Sequence, residues 1–186
     1  MEPARGFLRR RIRYNPPMLV FEPLFKALNE AGVRYVVVGG VAVVLHGHLR
    51  LTADVDLVVD LDEDQAARAI ETLTALNLRP RAPVDPRDFT SKSIREAWIR
   101  DRGMQVFSMV DPSDPMRVVD LFVSHPIPFE ELWSRSEEIH LTGTTVRVAS
   151  IPDLIRMKRQ AGRPEDRTDI EHLEAILRGK SGREES

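Results

Sequence analysis

Two aspartates, Asp54 and Asp56, stand one residue apart in the stretch TADVDLVVD. An extended chain points residues i and i+2 to the same face. Both carboxylates therefore share a face, while Ala53, Val55, Leu57 and Val59 take the other. Their Cα atoms should lie roughly 6–7 Å apart. Carboxylates this close repel each other, and burial raises the pKa of each. A divalent cation removes that conflict, as one ion or as a pair about 3.5–4 Å apart. Magnesium suits the pair because it takes one or two carboxylates and fills its shell with water and phosphate oxygens. Manganese, which prefers the same oxygen donors, is the alternative ion. The bland reading is a solvated pair at a strand end, since short motifs often match by chance.

The upstream residues sharpen the pattern. Gly39 and Gly40 follow the apolar run YVVV and precede VAVVL. A strand that ends there and a helix that begins there leave free backbone N–H groups, and the missing Cβ atoms let a phosphate approach closely. Arg50 and Thr52 lie just before the carboxylates and can orient phosphates as further nucleotide-binding residues. Two glycines alone usually mark only a turn. Strand, Gly-Gly, helix and Asp-x-Asp, with thirteen residues between Gly40 and Asp54, is a far more specific set.

The stretch GGVAVVLHGHLRLTADVDLVV resembles the signature of the DNA polymerase β-type nucleotidyltransferase superfamily. Within it, the form is most similar to the AbiEii-like group, which includes type IV toxin–antitoxin toxins. The resemblance covers about residues 20–125 well and continues more loosely to about 178. It implies catalytic metal ligands at Asp54 and Asp56 and a third acidic residue on a later strand, which helps deprotonate the attacking hydroxyl. Asp120, in RVVDLFV, is the candidate, a lone charge in an apolar strand that needs a partner. The competing role for Asp120 is an ion pair with Arg117. Asp111 and Asp114 sit in turn chemistry and are poorer candidates. In IPDLIRMKRQAGRPEDRTDIEHL the resemblance maps a catalytic, nucleotide-binding lysine onto Lys158 and a following acid onto Asp169, with Asp166 competing. A lysine on an apolar helix face otherwise snorkels to water. Arg163 either touches phosphate or caps its helix.

The implied activity is transfer of an NMP from an NTP to an acceptor hydroxyl, with release of pyrophosphate. The resemblance to AbiEii-like toxins implies a tRNA 3′ end or a protein hydroxyl as acceptor, and a cognate antitoxin. Two other readings stay open: transfer to a small molecule, as in antibiotic nucleotidyltransferases, and a non-catalytic nucleotide- or partner-binding module on the same fold.

These residues need elements to hold them. Helical spacing of Leu24, Phe25, Leu28 and Ala31 predicts a helix after Pro23, stopped by Gly32. Residues 33–38 are expected as a strand, 41–46 as a helix and 52–59 as the next strand. Asp62 caps a helix with Ala66, Ala69, Ile70, Leu73 and Leu76 on one face. Prolines make 79–88 a loop. A short helix near 91–100, strands near 104–109 and 116–123, and a hairpin at 139–141 and 145–149 follow. Ser150 opens a helix that stops near Gly162, and Pro164 opens the last one. Early alternation and later paired strands predict an α/β (α+β) fold, with a mixed central sheet flanked by helices and a short C-terminal helical part.

The expected divisions are a basic arm over 1–20, a nucleotidyltransferase domain over 21–149, the helical part over 150–178 and a disordered tail over 179–186. The arm carries Arg5, Arg9, Arg10, Arg11 and Arg13, suited to RNA phosphates or to solvent. With 186 residues, 42% hydrophobic, and a net charge of −2, the chain reads as globular, with no broad call for nucleic acid or membrane. The absence of cysteine removes disulfides, thiol nucleophiles and Cys-zinc sites, and fits a cytoplasmic protein. His46 and His48 lack a partner at zinc-ligand spacing and read as helix-end or site-lining residues. No Gly-x-Gly-x-x-Gly or Walker A motif supports a dinucleotide site or P-loop.

Overall fold

A computed structural model describes residues 21–48, 50–52 and 54–184. The basic arm expected over 1–20 lies outside them. The elements run α1 (Glu22–Glu30), β1 (Tyr35–Val38), α2 (Gly39–Leu45), β2 (Asp54–Val59), α3 (Glu63–Ala75) and β3 (Arg79–Pro80). After a 3-10 turn over Pro86–Thr90 come α4 (Lys92–Arg102), β4 (Val106–Asp111), β5 (Asp114–Phe122) and α5 (Phe129–Arg135). The chain finishes with β6 (Glu137–His140), β7 (Thr145–Val148), α6 (Ile151–Ala161) and α7 (Asp166–Glu184).

One seven-stranded mixed sheet has the order β3-β4-β5-β2-β1-β7-β6. All four residues of β1 are buried, as a β-branched run with both faces covered should be. It pairs antiparallel with β2 and parallel with β7. The pairing that matters for chemistry is parallel, β2 with β5, and sets Asp56 opposite Asp120. Val55, Leu57 and Val59 on the other face of β2 are fully buried. Their packing pins the register, because a slip of one residue would turn the carboxylates into the core.

The helices over the sheet are capped as their sequences require. Asp62 accepts from the Asp64 N–H at the start of α3. Ser150 accepts from the Asp153 N–H at the start of α6, and Gly162 ends α6 in the left-handed region. Ile151, Leu154 and Leu173 from α6 and α7 are buried in the same core as Phe25, Tyr35, Leu57 and Leu121.

Some elements depart from the sequence reading. The expected loop over 79–88 contains β3, two residues long, which exists because β4 offers it an edge. Helix α5, absent from the sequence reading, is a seven-residue element that buries Phe129 and Leu132. β5 begins at Asp114, because Asp111 pairs with Asp114 across a tight turn where the Asp111 carboxylate accepts from the Ser113 N–H and hydroxyl. α7 begins at Asp166, two residues after Pro164, and continues to Glu184 through the stretch expected as a disordered tail. That stretch lacks proline, and its glycines cost a helix only about 1 kcal/mol each. Among the described residues no helix is long and apolar enough to cross a membrane.

Candidate active site

One face of the sheet carries Asp54 and Asp56 on β2 and Asp120 on β5. One oxygen from each carboxylate can be chosen so that all three lie within 4.8 Å of one another. All three side chains are half-buried. Burial, and then the charges of Asp54 and Asp120, push the Asp56 carboxyl up to about 6, against the opposing charges of Arg163 and Lys158. Asp120 is also raised, chiefly by burial. A hydrogen bond from Ser108 opposes that rise and the Asp54 charge adds to it. One oxygen of Asp120, Oδ1, is buried without a hydrogen-bond partner.

Three crowded hard-oxygen donors, one of them partnerless, fit a divalent cation of the magnesium or manganese kind. The ion pair considered between Asp120 and Arg117 does not form. Arg117 Nη1 lies 3.3 Å from Asp111 Oδ2 instead.

The glycine pair shapes the adjoining wall. Gly39 has φ +63, and a Cβ there would sit 2.6 Å from Asp56 Cγ. Both the backbone conformation and the carboxylate therefore demand glycine. A Cβ on Gly40 would lie 2.7 Å from Thr52 Oγ1 and 3.5 Å from Arg50 Cζ. The Thr52 hydroxyl donates to Asp54 Oδ1 at 3.2 Å. Gly39, Gly40, Arg50 and Thr52 thus form one continuous surface beside the carboxylates.

The C-terminal residues come in from α6 and α7. Lys158 is 8% exposed and does not snorkel. Its Nζ lies 3.0 Å from Asp166 Oδ1 and 2.8 Å from Asp169 Oδ2. Asp169 also pairs with Arg50. The two acids that competed in sequence are partners of the same lysine. Arg163 does not cap α6, a task Gly162 performs, and lines the cavity without an ion pair among the described residues. His46 accepts the C-terminal capping position of α2, and its Nε2 lies 2.8 Å from the Ala149 carbonyl oxygen. His48 stacks on His172 with ring centroids 3.7 Å apart.

These groups surround a cavity of about 720 Å³, a size typical of small-ligand sites. On the β4–β5 side it is lined by Gln105, Val106, Phe122 and Pro126, and from α6 by Leu154, Met157 and Gln160. Sequence reasoning missed this lining. Phe122 was within reach of it, standing two residues after Asp120 and hence on the same face. Val106 was not, because only the strand pairing sets it opposite Phe122.

A family described as nucleotidyltransferase of unknown function (DUF6036) matches residues 20–178. No curated protein matches the chain. Several solved structures share the fold. The lincosamide antibiotic adenylyltransferase LnuA, lincomycin-bound, superposes with a TM-score of 0.57 at 14% identity, covering 89% of this chain and 99% of that one. ANT(2")-Ia in complex with adenylyl-2"-tobramycin gives 0.54 at 13% identity, with 91% and 99% covered. An antigenic nucleotidyltransferase-like protein from Paracoccidioides brasiliensis gives 0.54 at 17% identity, with 86% and 74% covered.

Proposed function

The chain belongs to the DUF6036 family of nucleotidyltransferases, and from that premise we propose that it moves an NMP from an NTP to a hydroxyl of a small organic acceptor. The observation that carries this reading is the position of the three carboxylates. They line one cavity together with a wall of Gly39, Gly40, Arg50 and Thr52 and a largely apolar wall of Val106, Phe122, Pro126 and Met157. The first wall suits the triphosphate and the second suits the body of an uncharged or amphipathic acceptor. The occurrence of lincomycin and an adenylylated tobramycin in structures of the same fold supports an acceptor of that size.

Asp54, Asp56 and Asp120 would hold the divalent cation, magnesium or manganese. When bound, it supplies charge neutralisation at the phosphates and acidifies the acceptor hydroxyl. The chain's own groups do the rest. Thr52 fixes the Asp54 carboxylate through its hydroxyl. Gly39 and Gly40 leave room for phosphate oxygens against the backbone. Asp120, beside Asp54 and Asp56 on the same face, takes the acceptor's proton at a carboxylate oxygen. The acceptor oxygen then bonds to the α-phosphorus as the bond to the bridging oxygen breaks, and pyrophosphate leaves with the electron pair.

The test is incubation with each α-labelled NTP and magnesium, against lincomycin, tobramycin and a hydroxyl-rich metabolite pool, with total tRNA in parallel. Label on a small molecule, lost in Asp56→Ala, is the expected result. Label on tRNA instead would replace this reading with the toxin-like one, in which a cognate antitoxin is sought. Label on protein would point to a protein hydroxyl. Metal-dependent NTP binding without transfer to any of these would leave a binding module.

A further inference from the structure

Among the described residues three cations line the cavity: Arg50, Lys158 and Arg163. Two of them are already neutralised. Lys158 is buried between Asp166 and Asp169, and Arg50 is paired with Asp169. Two positive and two negative charges form one closed group, which offers little net attraction to a triphosphate. Arg163 differs. It is exposed, and among the described residues its guanidinium has no ion-pair partner.

Its backbone, by contrast, is tightly placed. Gly162, at φ +63, ends α6 immediately before it. Pro164 follows, which holds Arg163 away from helical geometry. The Asp166 N–H then bonds to the Arg163 carbonyl at 3.1 Å. The result is a free guanidinium on a fixed stem. Its charge acts on both Asp56 and Asp120, at Asp56 ahead of Lys158 and at Asp120 after Arg81, which does not line the cavity. Arg163 also borders a second cavity, of about 460 Å³, on the same corner with Arg159 and Arg167.

We propose that Arg163 contacts the pyrophosphate portion of the nucleotide, and that Lys158 is a positioning residue which, with Asp166 and Asp169, holds the corner from which Arg163 reaches. The inference rests on the nucleotidyl-transfer reading and divides the labour among its cations. As the acceptor oxygen bonds to the α-phosphorus, negative charge gathers on the departing bridging oxygen. A guanidinium fork meets two phosphate oxygens at once, which an ammonium cannot do. In the second cavity Arg159 is paired with Glu174, so Arg163 and Arg167 are the cations it offers a departing anion.

Calorimetric titration of magnesium pyrophosphate, and separately of the four mononucleotides with magnesium, tests this without needing an acceptor. Arg163→Gln should weaken pyrophosphate binding by roughly ten- to hundredfold, the loss of a charge-assisted contact. It should weaken mononucleotide binding far less and leave the unfolding temperature unchanged. Arg163→Lys should recover part of the pyrophosphate affinity, because it keeps the charge without the fork. Unaltered pyrophosphate affinity in Arg163→Gln would overturn the proposal. Equal weakening of both ligands would also overturn it, since a structural role does that. Wild-type protein that binds neither pyrophosphate nor any of the four mononucleotides would instead overturn the transfer reading beneath it.

Discussion

At the residue scale, Asp56 is the most informative group. Its carboxyl is pushed up to about 6, so the folded chain binds a proton that the unfolded chain has lost over the window between about 4 and 6. The stability this group contributes is complete below the unfolded pKa and is lost as pH rises through about 6. In metal-free protein, Asp56→Asn should therefore raise the unfolding temperature at pH 8 and change it least near pH 4. Added magnesium should raise the wild-type unfolding temperature more at pH 8 than at pH 5, where protons compete for Asp56; scanning calorimetry reads both. Gly39→Ala should cost about 1–3 kcal/mol in denaturant unfolding. It should also abolish the magnesium-induced shift, because its Cβ occupies the place of the Asp56 carboxylate. Much of this geometry was legible in sequence. The two-residue period of a strand puts Asp54 with Asp56, and the isolation of Asp120 in RVVDLFV marks a charge needing company. What could not be read was the rivalry of Asp166 and Asp169. The phase of α7 after Pro164 decides which acid reaches Lys158, and in the structure both do.

At the scale of elements, α6 and α7 are joined by a buried charge group. Lys158→Met would leave Asp166 and Asp169 without their shared cation, and such losses cost about 3–5 kcal/mol. Urea unfolding should show that destabilisation, and the triple change Lys158→Met, Asp166→Asn, Asp169→Asn should recover a substantial part of it. A triple variant as unstable as the single one would mean that packing, and no uncompensated charge, sets the loss. The helices with apolar stripes, α1, α3 and α6, the last two also capped by Asp62 and Ser150, were visible in the sequence. The elements that escaped are those made by their neighbours. β3 is two residues pairing with β4, and α5 is seven residues held by burial of Phe129 and Leu132. The tail was misread for the opposite reason: a polar run with two glycines signals a loose end, but without proline each glycine costs a helix only about 1 kcal/mol.

At the scale of the whole molecule, the fold brings three segments far apart in sequence to one cavity. The sheet order places β5 beside β2, so Asp120 meets Asp54 and Asp56, while β1 delivers the glycines from the other side. The C-terminal helices share the sheet's core and carry Lys158, Arg163 and Asp169 to the same place. That architecture is what the carboxylate and glycine pattern implied, but Val106 joins the lining only through pairing of β4 with β5. In the proposed reaction the three carboxylates together drive nucleotidyl transfer. The most direct test is release of pyrophosphate from the four NTPs, with magnesium and the mixed acceptor pool, by wild type beside Asp120→Asn. Release by the wild type, tied to an NMP-bearing product and reduced at least about a hundredfold in the variant, is the predicted result. Equal release and equal product from both proteins would contradict it.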